Sequence, residues 1–280
     1  MGVTLNEMVD VAEGLVEFSA SAMEIHRLSG DDDADMPDLI AAVEADPNFA
    51  VNLLRIANSP VYLRGEPTAS IAQAITRVGR RELGQMAFAA ACMEGMAVLE
   101  GALLQINGLW RDGMLIGGIA RELSVVAPSA REYSFAAGML HSIGTMVLNS
   151  QAQAEMEKVL NMSLDFDMPL NVAEEQVLGF NNAALGGAMA RRWNFPEPLI
   201  VAIEYQYKPE EAPEHKDTVA VMAVAAAVLE QALQYNEFEE HESELVRMLD
   251  RLNIREKFEA ASLDATILFE KAREGTLEAA

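Results

Sequence analysis

From Phe135 to Leu148 the chain carries no charged side chain and a single imidazole, His141, near the middle. A helix apolar on every side belongs at the centre of a packed protein rather than on its surface. The run therefore predicts one central helix over 135–148, with the other elements arranged around it. His141 is then either a core residue satisfied by hydrogen bonding or what remains of a site.

The flanking sequence repeats one theme, amphipathic helices closed by short polar caps. Residues 5–28 carry Met8, Val11, Leu15 and Phe18 at helical spacing, with Gly14 and Ser19 to Ser21 allowing two shorter helices. Asp35 and Asp46 are placed to cap helices that open on Pro37 and Pro47. Ala50, Leu53, Leu54 and Ala57 form one apolar stripe that ends at Asn58-Ser59-Pro60, and Ile71, Ala74, Ile75 and Val78 form the next. A loop through Arg64 separates the two, and Ser70 with Gln73 and Asn171 with Glu174 read as capping pairs. Gly113, Gly117, Gly118, Gly186 and Gly187 lie inside predicted helices, where they cost stability but allow close helix approach. Further helices follow over 82–96, 110–123, 152–162, 172–178, 183–193, 199–206 and 218–233. Beyond an acidic run at 236–244, Leu245, Met248, Leu249 and Leu252 make an amphipathic stripe, and breaks at Asn253 and Ser262 bound two short helices. No alternating strand pattern is present, so the expected class is all-α.

Charge and cysteine usage narrow the partners. With 44 acidic against 20 basic residues the net charge is −24, a field that repels phosphate backbones and anionic lipid and disfavours nucleic acid. The longest apolar stretches, such as Val219 to Leu229, are too short to cross a bilayer. The first residues lack a basic, cleavable leader, and the single Cys92 excludes an internal disulfide framework. A cytoplasmic protein without membrane insertion is expected. The acidic turn at Asp31 to Asp35 is not a calcium loop, because Met36 stands where such a loop needs glycine and Ala42 where it needs glutamate.

Five landmarks in order resemble HDOD domains, relatives of the HD-type metal phosphohydrolases. They are Leu53 to Ser59; Ile71 to Ile75 with Val78-Gly79; Leu109-Trp110-Arg111; Gly138 to Gly144; and Ala184 to Gly186 through Arg191 to Pro196, followed by Ile203-Glu204-Tyr205. The resemblance spans residues 18–233. It implies an HD-domain-like helical bundle with an N-terminal helical lobe at 1–105, an HD-like core at 106–235 and a C-terminal helical tail at 236–280. In catalytic HD relatives, histidines and a His-Asp pair hold divalent metal that activates water.

At the matching positions this chain departs from that pattern. Asp112 stands where many relatives place histidine, and the His-Asp pair becomes His141-Ser142. The lysine of the cyclic di-GMP phosphodiesterase (HD-GYP) branch is replaced by Thr145, a histidine by Asn182, and a histidine pair by Gln206-Tyr207. The resemblance thus implies a degenerate cleft of Asp112, His141, Ser142, Asn182 and Gln206, with no catalytic residue, bound metal or cofactor. Asp112 and His141 are too few strong ligands for a hydrolytic centre.

Other chemistries find no support. Ser142 adjoins His141, so on a helix the two diverge and make no nucleophilic pair. Cys92 reads as a small buried hydrophobe, Met139 and Met146 as core, and His26, His215 and His241 as surface residues. Arg80-Arg81 and Arg191-Arg192 are expected to pair with carboxylates. The expected function is regulation through contacts with other signalling proteins. The alternatives are a small-molecule or nucleotide module that binds without turnover, such as one for cyclic di-GMP, and a residual phosphohydrolase using Asp112, His141 and Glu204.

Overall fold

Short oxygen-bearing side chains open many of the helices. Thr4 accepts the Glu7 N–H at 3.3 Å while its own N–H donates to the Glu7 carboxylate at 3.0 Å, a reciprocal cap for α1 (Leu5–Glu13). Asp46 accepts the Phe49 N–H at 3.0 Å and Asn181 accepts the Ala184 N–H at 3.0 Å in the same way. The computed structural model describes residues 3–59, 62–63, 65–99, 101, 103–233, 244–261 and 263–279. Pro60, Arg64, His241, Ser262 and the acidic run as far as residue 243 lie outside the described residues. Among the described residues the chain is all-α, without a strand.

The chain forms two compact units. One comprises residues 17–97 together with 274–280 and holds α2 (Ala20–Gly30), α3 (Met36–Glu44), α4 (Pro47–Ala57), α5 (Ile71–Val78) and α6 (Arg80–Met96). Ile25, Leu39, Leu53, Ile75 and Leu83, one from each helix, are fully buried in its core. The Asn58 side chain ties down the loop after α4. Its oxygen accepts the Thr68 N–H and its amide donates to the Thr68 carbonyl, both at 2.8 Å. The Ser70 and Gln73 pair forms only half of a capping box: Ser70 accepts the Gln73 N–H, but the Gln73 side chain turns instead to the Thr68 hydroxyl at 2.7 Å.

The other unit comprises residues 1–16 and 98–273. Besides α1 it contains α7 (Ile106–Leu123), α8 (Ser134–Leu140), α9 (Ile143–Gln151), α10 (Gln153–Phe166), α11 (Leu170–Leu178) and α12 (Asn182–Arg192). It continues with α13 (Glu197–Glu204), α14 (Lys216–Leu233), α15 (Glu244–Arg251), α16 (Arg255–Ala260) and most of α17 (Ala265–Ala279). The α7 glycines let α8 approach closely, as their spacing suggested. A Cβ on Gly113 would lie 2.6 Å from the Met139 carbonyl oxygen, and one on Gly117 2.6 Å from that of Phe135. Gly187 is likewise pressed against Glu204 of α13.

The central apolar run departs from the expected single helix. It breaks at His141-Ser142 into α8 and α9. The break lets its two glycines meet different helices: Gly138 lies against the backbone of Gly117 in α7, and Gly144 against the Asn182 carbonyl and Gly186 N–H of α12. Close contacts at both ends hold the bend more firmly than apolar periodicity favours a straight helix.

Candidate functional site

The bend between α8 and α9 brings most of the site candidates to one place. His141 follows the last residue of α8, and its Nδ1 lies 2.7 Å from the Gly138 carbonyl oxygen. A carbonyl only accepts, so Nδ1 carries the proton and Nε2 keeps its lone pair in the neutral ring. Burial holds the His141 pKa below the usual histidine value, against the opposing pull of the Gly138 carbonyl and the nearby Asp112 carboxylate. Ser142 is buried, and its hydroxyl has no hydrogen-bond partner among the described residues.

Asp112 lies on α7 and is bridged by its neighbour Arg111 at 3.2 Å, in contact with solvent. It is close enough to act on His141 electrostatically. Gln206, just past α13, is buried and donates its side-chain amide to the carbonyls of His141 and Ile203, at 3.0 and 3.1 Å. Its NH2 group thus braces the bend.

Asn182 belongs to a second arrangement that sequence reasoning missed. Glu174, expected to cap α11, is fully buried, and one carboxyl oxygen accepts both the main-chain and side-chain N–H of Asn182 at 2.7 Å. The Asn182 amide also lies 3.1 Å from the hydroxyl of Tyr207. Burial raises the Glu174 pKa above the ordinary carboxylate range, partly offset by the two Asn182 bonds. It also pushes the Tyr207 phenol up to about 12, although part of the ring remains in solvent. The signal was present, since Asn182 and Tyr207 occupy two positions where catalytic relatives place histidines. The carboxylate behind Asn182 gives no hint in the sequence, because Glu174 looks like any first-turn acid.

The donor set does not suit a metal centre of the HD type. Of the five cleft residues, only Asp112 and His141 have side chains of the kind that hold a transition metal well. Asn182 and Gln206 could offer a cation only a neutral amide oxygen, a weak ligand for a transition metal, and their NH2 groups are engaged by Glu174 and by the carbonyls of His141 and Ile203. Glu204, the further candidate ligand, is paired with Arg191 at 2.5 Å. Among the described residues, no three His, Cys, Asp or Glu side chains gather in a way that would hold a metal ion.

The remaining candidates divide. Arg192 pairs with Asp10 and Glu13 of α1, as expected for its pair. Arg80 instead donates to the carbonyls of Leu28, Asp31 and Ala34 at 2.8–2.9 Å, because the end of α2 leaves carbonyls open there. His26 is no surface residue: it is half-buried, bonded to the Gly84 carbonyl at 3.0 Å and packed on Phe88. His215 is exposed. Cys92, Met139 and Met146 are buried, and burial raises the thiol pKa of Cys92.

The model of the HDOD domain matches residues 15–209, well over half of the chain. The chain belongs to the HDOD domain family. Solved structures share the fold. An HDOD domain protein with unknown function from Geobacter sulfurreducens superposes with a TM-score of 0.73 at 21% identity, covering 98% of this chain and 95% of that one. A Shewanella amazonensis SB2B protein, provisionally named a phosphohydrolase, gives 0.75 at 21% identity over 99% and 97%. A Marinobacter aquaeolei VT8 protein, provisionally named a signal transduction protein, gives 0.73 at 19% identity, covering all of this chain but 62% of that one. In sequence, an uncharacterized protein of Treponema pallidum (strain Nichols) is 25% identical over 220 residues, 78% of this chain; the match spans only 42% of that relative. No described helix of this HDOD chain is long and apolar enough to cross a membrane.

Proposed function

We propose that this HDOD chain is a non-catalytic regulator of a bacterial signalling pathway, cytoplasmic and working through contacts with other proteins. One observation carries the reading: where HD relatives place histidines stand the neutral amides of Asn182 and Gln206, whose NH2 groups bind Glu174 and main-chain carbonyls and serve as structural ties. Ser142 in place of the metal-holding aspartate supports it, as does the engagement of Glu204 by Arg191. The Marinobacter neighbour's signalling name points the same way. The Shewanella name points instead to phosphohydrolysis.

Purified full chain incubated with manganese or iron and with cyclic di-GMP or a nucleotide panel separates the two. The expected result is no turnover. Hydrolysis that disappears in Asp112→Ala and His141→Ala would overturn the regulatory reading.

A second reading, a nucleotide or other small molecule held without turnover, has its own support in the buried, unpartnered Ser142 hydroxyl beside His141. A thermal shift with a nucleotide that is lost in both Asp112→Ala and His141→Ala would favour it. A shift unchanged in these variants would place the ligand elsewhere.

A further inference from the structure

The end of α10 and the start of α11 present apolar side chains to solvent, among them the two most exposed large apolar residues of those described. Leu164 is 80% exposed and Phe166 69%, and Val172 is exposed in the first turn of α11. Met168 and Leu170 between them are half-buried. Leu164 and Phe166 end α10 while Leu170 and Val172 begin α11, so apolar side chains flank the short turn at 167–169 on both sides. Exposed aromatic and aliphatic groups concentrated in this way mark contact surfaces more often than isolated ones do.

The turn is built firmly. The N–H groups of Asp167 and Met168 both reach the Ser163 carbonyl, and the Ser163 hydroxyl donates back to the Met168 carbonyl at 2.7 Å. Asp167 takes the left-handed conformation, at φ 46°, that closes the helix. The main chain beside Leu164 and Phe166 is therefore set before any partner arrives, which lowers the backbone ordering cost of binding.

Charge selects the partner. Asp165 and Asp167 flank Phe166, and neither carboxylate is paired among the described residues. Across 153–178, Glu155, Glu157, Asp165, Asp167 and Glu175 lie outside the core against the single Lys158. A second copy of the same hairpin, or an anionic membrane, would be repelled.

We infer that the α10–α11 turn is a docking knob for another protein that offers an apolar socket rimmed by lysine or arginine, Phe166 and Leu164 entering the socket and Asp165 and Asp167 meeting the rim. The inference rests on the regulatory reading above and deepens it by naming a surface.

The test places a photo-crosslinking benzoylphenylalanine at Phe166 of the full chain in the cells that produce it, with the same probe at exposed Val125 as control. The crosslinked peptide is then sequenced. The expected result is an adduct with a different protein, joined to a peptide carrying apolar residues beside lysine or arginine and absent from the Val125 control. Its yield should fall roughly tenfold in Leu164→Ala and in Asp165→Lys, the size of one hot-spot contact. Adducts with a second copy, with lipid or with the same proteins as the control would overturn the inference, as would no adduct or a yield indifferent to Asp165→Lys. None of these outcomes bears on hydrolysis, so failure of the docking surface and failure of the regulatory reading are told apart.

Discussion

One oxygen of Glu174 receives two hydrogen bonds from Asn182, from the main chain and from the side chain, each at 2.7 Å. The other oxygen is buried without a partner among the described residues. The carboxyl therefore fixes the first residue of α12 at the cost of holding an acid away from water.

That cost has a pH signature. A carboxyl whose pKa is raised on folding binds more protons in the native than in the unfolded state, so stability falls as pH rises from the unfolded value, about 4.3, through the raised one. Glu174→Gln keeps an acceptor for Asn182 and removes the titration. Thermal melts across acid to neutral pH should show a downward slope in the parent protein that is absent in this variant. Glu174→Ala, which strips both bonds from a buried amide, should cost about 1–3 kcal/mol. A melt unchanged in Glu174→Ala would mean that the network carries no stability.

His141 titrates with the opposite sign. Its pKa is lowered on folding, so the unfolded chain binds more protons between the lowered value and about 6.5. Its share of stability is complete above that range and declines as pH falls through it. The His141 ring signal in carbon-detected or proton NMR should have its midpoint below about 6.5. A midpoint above that value would mean that the carboxylate of Asp112, and not burial, governs the ring.

Within α7, two glycines should behave oppositely. Gly117→Ala places a methyl 2.6 Å from the Phe135 carbonyl and must push α8 away, at about 1–3 kcal/mol or more. Gly108 meets nothing within 4 Å, so Gly108→Ala should be neutral or stabilise by up to about 1 kcal/mol through helix propensity. Chemical denaturation of the pair checks both, and equal effects would refute the close approach of α7 and α8.

Two arginines should rank against intuition. Arg192 makes two ion pairs, but both are exposed, so Arg192→Ala should change the melting temperature little, and less at high salt. Arg80 makes no ion pair among the described residues, yet it satisfies three carbonyls. Arg80→Ala should cost about 1–3 kcal/mol with little salt dependence. A strong loss of Arg80→Ala's effect in high salt would contradict that assignment.

The helical class was legible because caps and apolar stripes act locally. Asp46 and the Leu53 stripe form as their spacing dictates. The family was legible from the same kind of landmark, Asn58 among them, which turns out to pin a loop by both polar ends of its side chain. Elements set by distant backbones were not. The straight helix expected over 135–148 ignores what Gly138 and Gly144 each touch, and those partners are α7 and α12. Glu174 was misread for the same reason, since Asn182 becomes its neighbour only when α11 folds back on α12. Arg80 looked like half of a basic pair because open carbonyls at the end of a helix leave no trace in residue types.

Cys92, buried in α6 with its thiol pKa raised, is the only cysteine in the chain. A thiol in that state meets a labelling reagent only while its surroundings are open. The native sequence therefore carries its own clock for the breathing of the unit around α6, readable by modification rate with no engineered probe. It also leaves the outer surface free for single cysteines placed at will, since a reagent applied under native conditions will find them first.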